Sequence, residues 1–80
     1  MQLKKRGDTV VDIAELKKSI EDIGITMVAL SQKAGIERMT LYNRLNGVGE
    51  FTASEIYGLS HALRLTNEER ERIFLADKLE

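Results

Sequence analysis

Apolar residues recur along the chain at the spacing of amphipathic helices, and no segment of useful length alternates apolar and polar residues as a half-exposed strand does. The first apolar stripe consists of Ile13, Leu16, Ile20 and Ile23. It predicts a helix over residues 10–23. Thr9 and Asp12 have the spacing of a capping box at the start of this helix, and Gly24 provides a left-handed stop after it.

The next two helices are short and follow each other closely. Thr26 is a good N-cap for the second helix, which Gly35 ends about eight residues later. A third helix starts near Glu37, and Asn46-Gly47 closes it. Residues 48–50 then read as a loop.

Two capping boxes predict the starts of the last two helices. Residues 52–55 (TASE) form the first, and Phe51 with Ile56 has the spacing of a hydrophobic staple around it. Residues 66–69 (TNEE) form the second. The pattern as a whole predicts an all-α fold, a compact bundle of five short helices in one domain over residues 9–80.

Residues 1–8 lack a helical stripe and carry the basic run Lys4, Lys5 and Arg6. We interpret them as an N-terminal basic arm or lead-in. A solvated tail is the plainer reading, with a DNA minor-groove arm and a short strand as alternatives.

Residues 26–47, TMVALSQKAGIERMTLYNRLNG, have the layout of a helix-turn-helix: a short helix, a glycine-led turn and a second helix. Leu41 and Leu45 predict which side of the later helix, the third in the chain, is buried. Asn46-Gly47 closes this helix and the segment EFTASEI (residues 50–56) follows it. With these features, residues 10–65 resemble the Cro/phage-repressor helix-turn-helix family, also called the xenobiotic-response-element type. The resemblance is strongest to short phage or prophage regulators, and it implies a lambda-repressor-like bundle with the helix-turn-helix at about 26–46.

The resemblance also implies a set of DNA contacts. Base edges would be read by Arg38, Met39, Tyr42 and Asn43. Phosphates would be contacted by Thr26, Gln32, Arg44 and Asn46. The chemistry is suitable, because asparagine pairs bidentately with adenine and arginine with guanine in the major groove.

Three residues depart from the family pattern. Met27 stands where a glutamine is usual, and Glu37 stands where a serine, threonine or glutamine is usual. Glu37 could cap the third helix or accept from a cytosine amine. Arg44 takes a position that is often apolar, so we expect Leu45 to pack there while the Arg44 head group reaches a phosphate.

The total charge does not indicate a nucleic-acid binder, since twelve Lys and Arg stand against thirteen Asp and Glu, a net charge of −1. The distribution is more informative. Residues 1–7 carry +3 and residues 24–47 carry +2, whereas the three remaining segments are acidic. A field this small predicts modest non-specific DNA affinity and a shallow salt dependence.

Composition predicts the absence of several functions. The chain has no cysteine and a single histidine, His61, so we expect no metal site, no cofactor and no enzymatic activity. We interpret His61 as a partly buried packing residue, and Gly47-x-Gly49 as a loop rather than a dinucleotide site. Apolar runs reach only four residues. We therefore expect no membrane partner. The resemblance to phage regulators implies no small-molecule substrate and a cytoplasmic, nucleoid-associated location in a bacterium or phage-infected host.

These observations favour a transcriptional regulator, a repressor that binds double-stranded operator DNA as a homodimer and places helix 37–45 in the major groove. The last helix is apolar around nearly a full turn, which predicts a dimer interface formed by Ile73, Phe74 and Leu75. The alternative is an antitoxin-like or adaptor module that binds a protein partner through Met39 and Tyr42 or through the last helix.

Overall fold

Side-chain caps and left-handed stops divide the chain into its helices. The computed structural model describes residues 11–74, and within them the chain forms five α-helices and no strand. The helices are α1 (Ile13–Ile23), α2 (Met27–Ala34), α3 (Arg38–Leu45), α4 (Ala53–Ala62) and α5 (Asn67–Phe74). The predicted all-α five-helix fold is confirmed. Lys4, Lys5, Arg6 and Leu75 lie outside the described residues.

The predicted caps of α2, α4 and α5 are confirmed. The Thr26 Oγ1 atom accepts from the backbone N–H of Ala29 at 3.1 Å. In the box that opens α4, Thr52 Oγ1 accepts from the N–H of Glu55 at 3.1 Å, and the Glu55 carboxylate accepts from the N–H of Thr52 at 3.0 Å. Thr66 and Glu69 repeat the arrangement at α5. Each box satisfies N–H groups that the first turn of a helix leaves without partners.

The start of α1 differs from the prediction. Helix α1 begins at Ile13 and its N-cap is Asp12, whose carboxylate accepts from the N–H of Glu15 at 3.1 Å. The predicted start near residue 10, with Thr9 and Asp12 as a capping box, is therefore wrong. The reason is a long-range hydrogen bond: the Asp12 N–H donates to the carbonyl of Ile73 at 2.6 Å, so the chain is already extended against α5 at this point.

All five helices contribute to one apolar core. Its buried members are Leu16, Ile20, Leu30, Ala34, Ile36, Leu41, Leu45, Leu59, Leu63, Ile73 and Phe74. Helix α2 packs on both α3 and α4, and α1 packs on α5. The predicted burial of Leu41 and Leu45 is confirmed, and the two leucines fix one side of α3. Ile36 is also buried and anchors the α2–α3 turn in the core.

Helices α2 and α4 approach each other most closely where Gly58 faces Ala34. A Cβ atom on Gly58 would overlap the carbonyl oxygen of Ala34 and lie 3.0 Å from its carbonyl carbon. The glycine is needed here for space, because its backbone is ordinary helix. Ala34 and Gly58 together set the separation of the two helices.

The apolar side chains at the end of α5 belong to the core of the same chain. Ile73 is 3% exposed and Phe74 is fully buried, with the Phe74 ring edge-on to Phe51 at a centroid distance of 5.9 Å. The prediction that Ile73 and Phe74 form a dimer interface is therefore wrong. The chain needs both faces of this last turn, one against α1 and the other against Phe51, so no apolar surface remains on these two residues.

His61 is exposed, which corrects its interpretation as a partly buried packing residue. It lies two residues after the buried Leu59, about 200° further around α4 and so on the opposite face. Its ring stacks on that of Tyr57 at a centroid distance of 6.1 Å and an interplanar angle of 11°.

Helix α4 ends in a left-handed residue that is not glycine. Arg64 has φ 55°, and the paired hydrogen bonds from Arg64 N to His61 O (3.1 Å) and from Leu65 N to Ser60 O (3.0 Å) form a Schellman motif. The residues with positive φ after α1, α2 and α3 are Gly24, Gly35 and Gly47. Arginine in this conformation is strained by about 1–2 kcal/mol relative to the right-handed region.

We predict that Gly58→Ala destabilises the fold by about 1–3 kcal/mol, because the new methyl group forces α2 and α4 apart. The direction of the stability change reveals the close contact, because glycine-to-alanine in an unconstrained helix interior stabilises the fold by about 1 kcal/mol. Urea unfolding followed by circular dichroism measures it. Ser54→Ala, at an exposed position of the same helix, is the control. A Gly58→Ala protein as stable as wild type would contradict the close approach.

We predict that Arg64→Gly leaves stability unchanged or raises it by up to about 1 kcal/mol. Relief of the left-handed strain outweighs the extra unfolded-state entropy of glycine, which costs about 0.5–1 kcal/mol. Gly35→Ala is the control, because it makes the opposite change at a left-handed position. No atom lies within 4 Å of the added methyl group, so the expected loss of about 1 kcal/mol in the free energy of unfolding comes from the positive φ alone. A clear loss of stability in Arg64→Gly would show that its side chain supports the fold.

Candidate nucleic-acid interface

Helix α3 has one buried side and one side open to solvent. Leu41 is fully buried and Leu45 is 7% exposed. At about 100° per residue, Asn43 lies almost diametrically opposite this pair and Met39 lies about 40° from Asn43. The exposed surface of Arg38, Met39, Tyr42 and Asn43 is called the α3 face below.

The α3 face combines one cation, one amide and two largely apolar groups. Met39 is 65% exposed and Tyr42 is 45% exposed, both high values for such side chains. Arg38 and Asn43 are also exposed. No side-chain hydrogen bond or ion pair within residues 11–74 occupies the Arg38 guanidinium or the Asn43 amide. Their hydrogen-bonding groups are available to a partner.

Three residues predicted to contact phosphate are exposed beside α3. Thr26 and Gln32 lie at the N-cap and in the second turn of α2, and Asn46 lies at the end of α3. Thr26 Oγ1 accepts one hydrogen bond in the helix cap, and its hydroxyl proton remains as a donor. The α2 N-terminus also presents backbone N–H groups, a geometry that suits an anion.

Arg44, also predicted to contact phosphate, is directed elsewhere. Its Nε and Nη2 atoms donate to the two carboxylate oxygens of Glu55 at 3.0 and 3.3 Å, and Nη1 donates to the carbonyl of Val48 at 3.3 Å. The side chains of the pair are only 19% and 13% exposed. The guanidinium also lies against Gly49, so it ties α3 to the following loop and to the first turn of α4.

Glu37 is the N-cap of α3 by its backbone conformation, but its side chain makes no capping hydrogen bond. The Thr40 hydroxyl instead donates to the Glu37 carboxylate at 3.4 Å. The expectation that the Glu37 side chain caps the helix is therefore wrong. Its negative charge remains exposed at the start of the α3 face.

The charge of this surface is smaller than the sequence sum for residues 24–47 indicates. Arg44 is neutralised by Glu55, so Lys33 and Arg38 remain as the unpaired cations of that segment among the described residues, against Glu37. The predicted basic arm at residues 4–6 lies outside the described residues.

Residues 11–74 contain neither a metal-binding cluster nor a membrane-spanning helix. No group of three or more His, Cys, Asp or Glu side chains there is arranged to hold a metal ion. No helix in the same range has both the length and the apolar character needed to cross a bilayer.

The Arg44–Glu55 pair is the part of this surface that sequence reasoning missed. The two residues are eleven positions apart on different helices, so no helical spacing relates them. Two signals were present: a charged residue at a position that is often apolar in the resembled family, and a carboxylate fixed by a capping box one loop later. Only the loop geometry brings the two together.

Comparison of the chain with family models, with characterised proteins and with solved structures gave no significant match. The resemblance to the Cro/phage-repressor family therefore depends on the residues of the helix-turn-helix segment and the loop that follows it.

We predict that Glu55→Gln destabilises the fold by about 1–2 kcal/mol more than Glu69→Gln does. Glutamine can replace glutamate in both capping boxes, but only Glu55→Gln leaves a mostly buried guanidinium without its counter-charge. Glu69 has no cation within 4.0 Å among the described residues, which makes it the matched control. Urea midpoints of the two variants test this, and equal midpoints would show that the ion pair contributes little.

Proposed function

We propose that this protein is a sequence-specific DNA-binding transcriptional regulator of the phage-repressor kind, which reads the major groove with the α3 face. The observation that carries the proposal is the combination of a rigidly seated short helix and an outward side whose polar groups have no partner within the described residues. A helix that follows another after a three-residue turn is the element that enters the groove in helix-turn-helix proteins.

The side chains of the α3 face match the groups that bases display in the major groove. Asn43 can exchange two hydrogen bonds with adenine N6 and N7, and Arg38 can donate two to guanine O6 and N7. Met39 and Tyr42 offer apolar surface for a thymine methyl group. Four adjacent side chains of this kind are enough to read a few base pairs per subunit.

Positioning contacts would come from the residues beside the α3 face. The α2 N-terminus offers backbone N–H groups and the Thr26 hydroxyl to a phosphate, and Gln32 and Asn46 extend the contact. Arg44 is left out of the proposed set because three of its N–H groups are already donated within the fold. Its role in the proposal is to hold α3 in place.

The charge distribution predicts how DNA affinity would depend on salt. Among the described residues of segment 24–47, Lys33 and Arg38 are unpaired cations and Glu37 carries the opposite charge, so this surface of each subunit neutralises few phosphates. Binding therefore depends weakly on salt for a DNA-binding domain, since the slope scales with the number of phosphates neutralised. Specific base contacts carry a larger share of the affinity.

We predict that Asn43→Ala weakens binding to the DNA immediately upstream of the protein's own gene by about 1–3 kcal/mol, roughly 5- to 150-fold, while leaving affinity for unrelated DNA unchanged. The loss of two hydrogen bonds to one base removes discrimination and leaves backbone contacts intact. Fluorescence anisotropy with labelled upstream and scrambled duplexes at fixed salt measures both affinities.

Asn67→Ala is the matched control for this experiment, because Asn67 is an exposed helical asparagine outside the proposed contact set. It should bind both duplexes as wild type does. Equal affinity of the wild-type protein for upstream and scrambled DNA would contradict sequence-specific binding.

We propose that the regulator acts as a homodimer on a near-palindromic site. One eight-residue helix with few phosphate contacts is too small an interface for tight specific binding, and a second copy doubles it. Ile73 and Phe74 cannot supply the subunit contact because they are buried. We expect light scattering coupled to gel filtration to give two protein copies per duplex, and a one-to-one complex at saturation would contradict the dimer.

A second candidate function is favoured by the apolar character of the α3 face. Met39 and Tyr42 are exposed next to a single cation, and Glu37 opposes DNA phosphates. This surface would also suit a protein partner, as in an antitoxin-like or adaptor module. Nanomolar binding to the product of a neighbouring small toxin gene, without protection of upstream DNA at low salt, would favour it over DNA binding.

A further inference from the structure

A basic groove lies between the end of α4, the start of α5 and the last turn of α2. It is an open groove with a volume of about 640 Å³, and its lining includes Lys33, Tyr57, Ser60, His61, Arg64 and Arg70. This volume lies within the range of roughly 300–1,000 Å³ that small-molecule sites occupy. None of its lining residues belongs to the α3 face or to the proposed phosphate contacts at Thr26, Gln32 and Asn46, although Lys33 also contributes to the charge of that surface.

The groove concentrates positive charge without counter-charge. Lys33, Arg64 and Arg70 come from three different parts of the chain, and no carboxylate is among the lining residues. Within residues 11–74, no carboxylate lies within 4.0 Å of any of the three. Like charges held together repel one another, and an anion that enters relieves the repulsion. Guanidinium groups are especially suited to phosphate, which they bind through paired hydrogen bonds.

The same groove contains an aromatic platform. Tyr57 is 71% exposed, and its ring lies nearly parallel to that of His61 at a centroid distance of 6.1 Å. Core packing does not account for a tyrosine this exposed. A flat ring with an open face stacks favourably on a nucleobase, whatever the identity of the base.

The backbone at Arg64 provides an independent indication. The other left-handed residues that end helices in this fold are glycines, and a glycine at position 64 would remove the strain. An arginine kept in a strained conformation points to a role for its side chain rather than for the fold. Beside it, the buried Oγ atom of Ser60 has no hydrogen-bond partner among the described residues.

We propose that this groove binds a nucleoside phosphate, with the base stacked on Tyr57 and the phosphates bound by Arg64, Arg70 and Lys33. The site is distinct from the α3 face, so the proposal stands whether or not the protein binds DNA. It adds a small-molecule ligand to a chain whose composition gave no indication of one.

Isothermal titration with ATP and with inorganic triphosphate at constant ionic strength tests the aromatic part and the phosphate-binding part of the site. We expect ATP to bind at least about tenfold more tightly than triphosphate, because only ATP also stacks on the tyrosine. Tyr57→Ala should remove this difference and leave triphosphate binding unchanged. Equal binding of ATP and triphosphate to wild type would overturn the aromatic half, and no ATP binding at about 1 mM would overturn the site.

Arg64→Gly separates binding from folding, because the substitution relieves strain. We expect it to weaken ATP binding at least about tenfold, as loss of a paired hydrogen bond to phosphate does. Arg72→Gln, an exposed arginine outside the groove that pairs with Glu15, is the control for the loss of one positive charge and should bind ATP as wild type does. Unchanged ATP binding in Arg64→Gly would overturn the proposal.

The same variants distinguish this proposal from the DNA proposal. Arg64→Gly should bind the upstream duplex as wild type does, whereas Asn43→Ala should bind ATP as wild type does. If Arg64→Gly instead lost DNA affinity and ATP failed to bind, the groove would be part of the DNA surface and the nucleotide site would be wrong.

Discussion

The close approach of α2 and α4 at Ala34 and Gly58 is the constraint on which the rest of the fold depends. Because Gly58 has no side chain, the α4 backbone rests almost directly on the carbonyl of Ala34, in the last turn of α2. That turn leads through Gly35 into Ile36, which anchors the connection to α3 in the core. The orientation of α3 therefore follows from how α2 sits on α4, and a wider separation would shift the α3 face.

The Arg44–Glu55 pair fixes the other end of α3. Its guanidinium spans the loop to the first turn of α4, where Glu55 also closes a capping box. One carboxylate thus serves a helix cap and an interhelical ion pair at once. Arg44 therefore orients α3, and its charge is neutralised within the fold. Rigid placement of α3 is obtained at the expense of positive charge on this surface.

Local signals in the sequence were sufficient for much of this structure. Gly24, Gly35 and Gly47 marked helix ends, and the boxes at residues 52–55 and 66–69 marked helix starts, because each acts through neighbours in the chain. Features that depend on distant residues were not predictable. Helix α1 starts later than expected because the Asp12 N–H donates to a carbonyl of α5. Phe74 is buried in part because the ring of Phe51, distant in the sequence, packs against it. The positions of Leu41 and Leu45 were enough to predict which side of α3 is exposed. That this side binds DNA stays a proposal.

Chemical-shift mapping by NMR shows whether the α3 face binds DNA, as proposed. A ¹⁵N-labelled sample titrated with the duplex upstream of the gene should show its largest amide shifts in residues 38–43 and at the α2 N-terminus, and a scrambled duplex should shift them less. The Arg64 and Arg70 amides should be unaffected by either. Shifts spread evenly over the basic surface, or the same shift pattern with both duplexes, would rule out sequence-specific binding by the α3 face.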